Sequence, residues 1–196
     1  MAKKKKIGIL GGAFDPPHDG HEALATLAAG HFDNVWVMPC NDHMHKHMTD
    51  AKMRLAMCQL AFRDHFPKVI VSGYEIINRR KASSYENIKS MMKDEPDCEF
   101  SLIIGQDNAD DIESWMYQEQ LVKEIPFFVV PRQGYDRKED AWYSKGIHTY
   151  LSDLQESAAI VKVNSTDIRK TIAHGDQPEY VDKIVWEYIR ERGIYM

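Results

Sequence analysis

A chain of 196 residues, 43% hydrophobic and 28% charged, has the length of one domain and the composition of a globular protein, which excludes disordered and fibrous classes. Its formal net charge of −5 argues against a nucleic-acid partner, and the basic run Lys3 to Lys6 reads as a solvated terminus. No apolar stretch approaches the ~18 residues of a membrane span and no signal-type apolar region follows the lysines, so a cytoplasmic protein with no membrane partner is expected. Cys40, Cys58 and Cys98 are odd in number and form no CxxC pair, which fits reduced thiols.

In chain order, IGIL from Ile7 reads as a first strand and His21 to Ala29 as a first helix. VWVM from Val35 is followed by a helix over Ala51 to Phe62, and VIVSG from Val69 by one over Ser83 to Lys93. SLIIG from Ser101 precedes a helix over Tyr117 to Lys123. FFVV from Phe127 leads into a long surface loop, Gln133 to Ser144, before IVKV from Ile160. Two helices close the chain, near Thr166 to Ala173 and Glu179 to Glu191. Most of the apolar runs are continuous rather than alternating, as in strands buried on both faces of a parallel sheet. Strand and helix alternate, so the fold class is α/β: a doubly wound, Rossmann-like parallel sheet with helices on both faces.

The segment GGAFDPPHDGH, Gly11 to His21, stands where the first strand turns into the first helix, the place where an open α/β sheet holds its ligand. Gly11 and Gly12 allow close backbone approach, and Pro16 and Pro17 stiffen the turn. His18 and His21, three apart, are placed to reach one anion from a beginning helix, whose N-terminus adds N–H donors and positive partial charge. Gly20 leaves room for a nucleotide. Neither a Walker loop nor GxGxxG is present.

H-x-G-H after a first strand resembles the nucleotidyltransferase superfamily shared with class I aminoacyl-tRNA synthetases, and the fuller segment resembles the bacterial nicotinate mononucleotide adenylyltransferases. Ala13 stands where that family has threonine. SLIIGQDNADDIESW resembles the family's IGxD segment followed by Trp; the resemblance implies that Gly105 and Asp107 meet the adenosine ribose and that Trp115 packs beside the pyridine ring. VVPRQGYD resembles R-x-G-Y and places Arg132 near ATP. VNSTDIRKTI resembles ISSTxIR: Ser165 and Thr166 would cap a helix that Arg169 joins as a triphosphate clamp. The tail VDKIVWEYIRERGIYM resembles the closing helix and its YI…LY ending. The family's PPHKP becomes HMHKHM, which keeps Lys46, and PSYT becomes SSYE, which keeps Ser84 and Tyr85 and puts Glu86 in place of threonine.

The resemblance implies one nucleotidyltransferase domain over residues 1–196. The implied reaction is adenylyl transfer from ATP to nicotinate mononucleotide, with Mg²⁺ bridging the triphosphate and no protein nucleophile. His18, His21, Lys46 and Arg169 carry the catalytic roles. Gly11, Gly12, Ala13, Phe14, Gly20, Gly105, Asp107, Arg132, Ser165 and Thr166 form the nucleotide site, and Ser84, Tyr85 and Trp115 the pyridine site. His43, His45 and His47 lack the closed ligand set of a structural zinc site, so no resident metal is expected. Alternatives are the nicotinamide mononucleotide, another acceptor such as phosphopantetheine or a sugar or choline phosphate, and a non-catalytic nucleotide sensor. ATP and a pyridine mononucleotide are the expected partners, and a homo-oligomer is left open.

Overall fold

The structure, a computed structural model, describes residues 3–42, 48–131, 140–151 and 163–196. Among the described residues, six parallel strands form one sheet in the order β3-β2-β1-β4-β5-β6. They are β1 Lys5–Gly12, β2 Asn34–Pro39, β3 Val69–Val71, β4 Cys98–Gly105, β5 Phe127–Val130 and β6 Thr149–Tyr150. The helices are α1 Asp19–Ala28, α2 Ala51–Ala61, α3 Tyr74–Ile77, α4 Ser84–Asp94, α5 Gln106–Asp110, α6 Gln118–Glu124, α7 Ser165–Ala173 and α8 Lys183–Arg192. No helix among the described residues is long and apolar enough to cross a membrane.

The apolar runs are continuous because neighbouring residues are buried on opposite faces. Val35, Val37, Ile103, Phe128 and Val130 pack on the face covered by α1, α2, α7 and α8, together with Met57, Ile168, Val185 and Ile189. Met38, Leu102, Ile104, Phe127 and Val129 pack on the other, with Ile88 and Met91 of α4 and Leu121 of α6. The doubly wound expectation therefore holds. Five of the expected strands are found. The sixth run, IVKV from Ile160, lies mostly outside the described residues, and the described sixth strand is the short pair Thr149–Tyr150. Of the expected surface loop Gln133 to Ser144, residues 133–139 lie outside the described residues. Its end is corrected, since Trp142–Ser144 forms a 3₁₀ turn and Tyr143 is 1% exposed. Tyr143 stacks on Tyr150 and faces α5, so the core takes it in.

Strand order reverses between β1 and β4, so their C-terminal ends open the crevice in which such sheets hold ligands. The chain leaves β1 at Gly12 into the His18 turn and leaves β4 at Gly105 into α5. Packing beside β1 is tight at Gly8, where a Cβ would stand 2.6 Å from Ile103 Cδ1 and 2.7 Å from the Phe32 ring. Gly8→Ala should therefore lower stability by about 1–3 kcal/mol through overpacking, measured as a lower urea midpoint at unchanged slope. An unchanged midpoint would show that Ile103 and Phe32 yield freely.

Candidate active site

Beyond β1, Gly11 is exposed, and a Cβ there would meet nothing within 4 Å. Phe14 follows with a φ of 50°. Its ring is buried, with its centre 4.7 Å from that of His21 and 6.5 Å, edge-on, from that of Phe62. The Phe14 side chain is the floor under His21. His18 does not sit within the first helical turn; it is the residue before α1, in an extended conformation, and His21 is the third residue of the helix. The two imidazoles nevertheless meet, stacked with centres 3.7 Å apart and planes 24° from parallel. The His18 backbone N–H donates to His21 Nδ1 at 3.3 Å. Nδ1 is therefore an acceptor, and the neutral ring carries its proton on Nε2. Gly20 also makes room within the protein: a Cβ there would stand 3.1 Å from the His18 ring and from Val163. The glycine lets His18 pack down.

The turn is held from three distant segments. Asp15 is 3% exposed. Its Oδ1 accepts from the Tyr195 hydroxyl at 2.5 Å and its Oδ2 from the Thr49 N–H at 3.2 Å. Burial, and then the Asp15 carboxylate, push the Tyr195 hydroxyl far above the usual phenol range. The Asp15 carbonyl accepts from Arg169 Nη1 at 2.7 Å, and the Pro16 carbonyl from Ser165 Oγ at 2.9 Å. The expected capping role of Ser165 and Thr166 is corrected. Asn164 caps α7 by accepting from the Asp167 N–H at 2.9 Å, while Thr166 Oγ1 accepts from Arg169 Nη2 at 3.3 Å. Asparagine is already in the sequence at the N-cap position, so its preference there was the available signal. Arg169 does reach the histidine turn, with two of its N–H groups engaged by Asp15 and Thr166.

Across the crevice, Gly105 ends β4 and Asp107 is half-buried in α5, with Trp115 half-buried just beyond the 3₁₀ turn Ile112–Ser114. Ser84 opens α4. Tyr85 donates from its hydroxyl to Glu124 Oε2 at 3.0 Å, and Lys89 donates to the same oxygen at 3.0 Å. Glu86 is exposed and belongs to a capping box: its Oε2 accepts from the Ser83 N–H at 2.9 Å and the Ser83 hydroxyl at 2.8 Å. These bonds hold its carboxyl below the usual range. The S-x-x-E pattern at Ser83 was the sequence signal for this. Ala13 is half-buried, and its carbonyl accepts from Arg54 Nη1 at 2.7 Å. Lys46, Arg132, His43, His45 and His47 lie outside the described residues. Among the described residues, no three His, Cys, Asp or Glu side chains gather as a metal site.

Two buried charged residues near the crevice escape sequence reading altogether. Arg54, 1% exposed, also donates from Nε to the Thr49 carbonyl at 2.9 Å and from Nη2 to the Cys40 carbonyl at 2.7 Å and that of Asn41 at 3.3 Å. Glu75, 8% exposed, accepts at Oε2 from the Asn41 N–H at 3.2 Å. Burial raises the Glu75 carboxyl to about 7, against the pull of Asn41, Arg80 and Arg54. No motif or periodicity marks either residue.

Residues 9–171 match the family model described as cytidylyltransferase-like. A "Probable nicotinate-nucleotide adenylyltransferase" of Exiguobacterium sibiricum is 32% identical over 195 residues, which cover 97% of this chain and 98% of that protein. The chain belongs to the nicotinate-nucleotide adenylyltransferase family. A second such relative, from Synechococcus sp. (strain JA-3-3Ab), is 33% identical over 202 residues, covering 99% of this chain and 96% of its own. Among solved structures, the Plasmodium falciparum nicotinic acid mononucleotide adenylyltransferase complexed with NaAD superposes with a TM-score of 0.81. It is 22% identical, with 97% of both chains covered, and that likeness speaks to the fold. The family resemblance read from the motifs is thus borne out over nearly the whole chain.

Glu75 generates a pH prediction. The folded chain holds its proton up to about pH 7, whereas an ordinary carboxyl releases it near 4.5. The native state therefore binds more protons between those values, and stability falls as pH rises through that window and levels off above it. Glu75→Gln removes this titration. Relative to the parent it should gain up to about 3 kcal/mol on going from below pH 4.5 to above pH 7. Urea midpoints across pH measure the difference, and one that is flat with pH would contradict the assignment.

Proposed function

We propose that this chain transfers the adenylyl group of ATP to nicotinate mononucleotide, giving deamido-NAD and pyrophosphate, in one nucleotidyltransferase domain spanning residues 1–196 and working in the cytoplasm. The observation that carries this reading is the stacked pair His18 and His21 at the C-terminal end of β1, beside the crevice between β1 and β4, in a chain of this family. An oxygen of the mononucleotide phosphate attacks the α-phosphorus of ATP in line. The bond from that phosphorus to the bridging oxygen breaks, and pyrophosphate leaves with the electron pair.

Catalysis on this reading is positioning and charge stabilisation. His21 donates through Nε2–H to a phosphate oxygen, and His18 acts from the ring stacked on it. Arg169, steadied by Asp15 and Thr166, turns its other N–H groups to the β- and γ-phosphates. Lys46, outside the described residues, is assigned by its sequence position to the incoming phosphate, and Arg132 likewise to ATP. Gly11 and Gly12 give backbone access to the nucleotide, and Gly105 and Asp107 meet the ribose. Ser84, Tyr85 and Trp115 flank the pyridine. Mg²⁺, as the usual companion of a nucleoside triphosphate, would arrive with ATP and would supply charge neutralisation for the departing pyrophosphate. No His, Cys, Asp or Glu cluster among the described residues would hold it apart from the nucleotide.

His18→Ala and His21→Ala should each fold normally and lose roughly 10²–10³-fold in kcat. Retention of more than about a third of parent kcat by both, in a pyrophosphate-release assay, would overturn their roles. Preference for the acid over the amide is what the family resemblance implies: backbone N–H donors near Ser84, Tyr85 and Trp115 would hold a carboxylate and leave the amide's own NH₂ unpaired. A Glu86 carboxylate pointing into the pyridine site would repel the acid, but it is engaged by Ser83 at the surface. We expect kcat/KM for nicotinate mononucleotide to exceed that for the nicotinamide form by at least about tenfold. Equal values would overturn the acid assignment.

A further inference from the structure

Helix α5 has five residues, Gln106–Asp110, and Gly105 at its N-cap offers no side chain to hold it. A helix this short is not stable on its own hydrogen bonds, so its orientation is set from outside. Three aromatic side chains from one segment supply that hold. The Tyr150 hydroxyl donates to Gln106 Oε1 at 3.1 Å, Trp142 Nε1 donates to the Ala109 carbonyl at 3.0 Å, and the Tyr143 hydroxyl donates to Asp110 Oδ1 at 3.2 Å.

The contacts fall on residues 106, 109 and 110, so they bracket Asp107. The donors are themselves stiff. Tyr143 is 1% exposed and stacks on Tyr150 with ring centres 5.5 Å apart and planes 16° from parallel. Trp142 packs edge-on against Phe127 of β5 at 4.9 Å, which ties the segment to the sheet. Gln106 is fully buried. A rigid aromatic platform, fastened to β5 and β6, thus aims the first turn after β4 at the crevice.

We infer that Trp142, Tyr143 and Tyr150 are positioning residues for ATP, holding α5 so that Asp107 is presented to the ribose. The inference rests on the proposed ribose role of Asp107 and extends it to residues that do not touch the substrate. Holding a contact that acts alike in ground and transition states affects KM for ATP and leaves kcat alone.

The test uses the full chain with Tyr143→Phe, Tyr150→Phe and their double variant, which keep the rings and remove the hydroxyl donors. Asp107→Ala is run in parallel. Initial rates are measured against ATP and against nicotinate mononucleotide, with calorimetric titration of ATP alone and thermal unfolding as companions. Each single variant should raise KM and Kd for ATP roughly fivefold, as expected for one lost hydrogen bond, and the double variant should raise them further. Both kcat and the mononucleotide KM should stay within about twofold of the parent. If Asp107→Ala weakens ATP and the tyrosine variants do not, the platform has no positioning role and the inference falls, while the ribose reading stands. If Asp107→Ala leaves ATP affinity unchanged, the ribose reading falls and the inference with it. A loss of kcat and of both affinities in proportion to a lowered unfolding temperature would assign the tyrosines to structure alone.

Discussion

The crevice depends first on one buried guanidinium. Arg54 joins the carbonyl of Ala13 in the histidine turn, those of Cys40 and Asn41 beyond β2, and that of Thr49 ahead of α2. Each carbonyl belongs to chain that is leaving, or has left, its regular element, so each needs a partner that the ladder no longer supplies. The planar, five-donor fork of arginine can satisfy several at once. Burying a cation is costly without such compensation. Here the compensation is mostly carbonyl dipoles, because Glu75, the neighbouring carboxylate, is pushed up to about 7 by its own burial. Asp50 caps α2 by accepting from the N–H groups of Lys52 and Met53, and so sets the helical turn from which Arg54 projects inward.

Asp15 extends the same construction to the far end of the chain. Its contact with Tyr195 spans 180 positions, that of Arg169 with the Asp15 carbonyl 154, and that of Ser165 with Pro16 149. The histidine turn is local in sequence but is held by residues that arrive only when the sheet and its covering helices have closed. Rigidity of this kind suits the proposed direct transfer between two bound substrates, which forms no covalent enzyme intermediate and relies on geometry where a protein nucleophile would otherwise act.

The sheet was legible because burial on both faces leaves a direct mark: consecutive Val, Ile, Leu and Phe, as in β4 and β5. What escaped reading was too short or too non-local to leave one. Thr149–Tyr150 is a two-residue strand, and α3 and α5 have four and five residues, below any periodic signal. The pairing of the two histidines was legible from their spacing, and the stacked rings bear out that His18 and His21 come together. Their neighbours carry packing roles that the motif alone does not display. Gly20 accommodates His18 itself, Phe14 lies beneath His21, and Ser165 binds Pro16 because Asn164 already caps α7. A lone arginine in an otherwise amphipathic helix looks solvated until the carbonyls of three other segments surround it, and that encirclement exists only in three dimensions.

The two walls of the crevice are stiffened by separate means. On the β1 side, Arg54 and Asp15 fix the histidine turn through hydrogen bonds to backbone. On the β4 side, α5 is fixed by aromatic side chains behind it. What sets the distance between the walls is then the β1–β4 ladder, paired from Lys5 with Cys98 to Ile9 with Leu102. That ladder lies in the middle of the sheet, is covered on both faces, and is packed so closely at Gly8 that even a methyl group would collide with Ile103 and Phe32. A parallel ladder of this kind has little freedom to slide, since a one-residue slip would exchange the two buried faces. The spacing between the histidine turn and the first turn of α5 is therefore a property of the sheet, established before any ligand arrives.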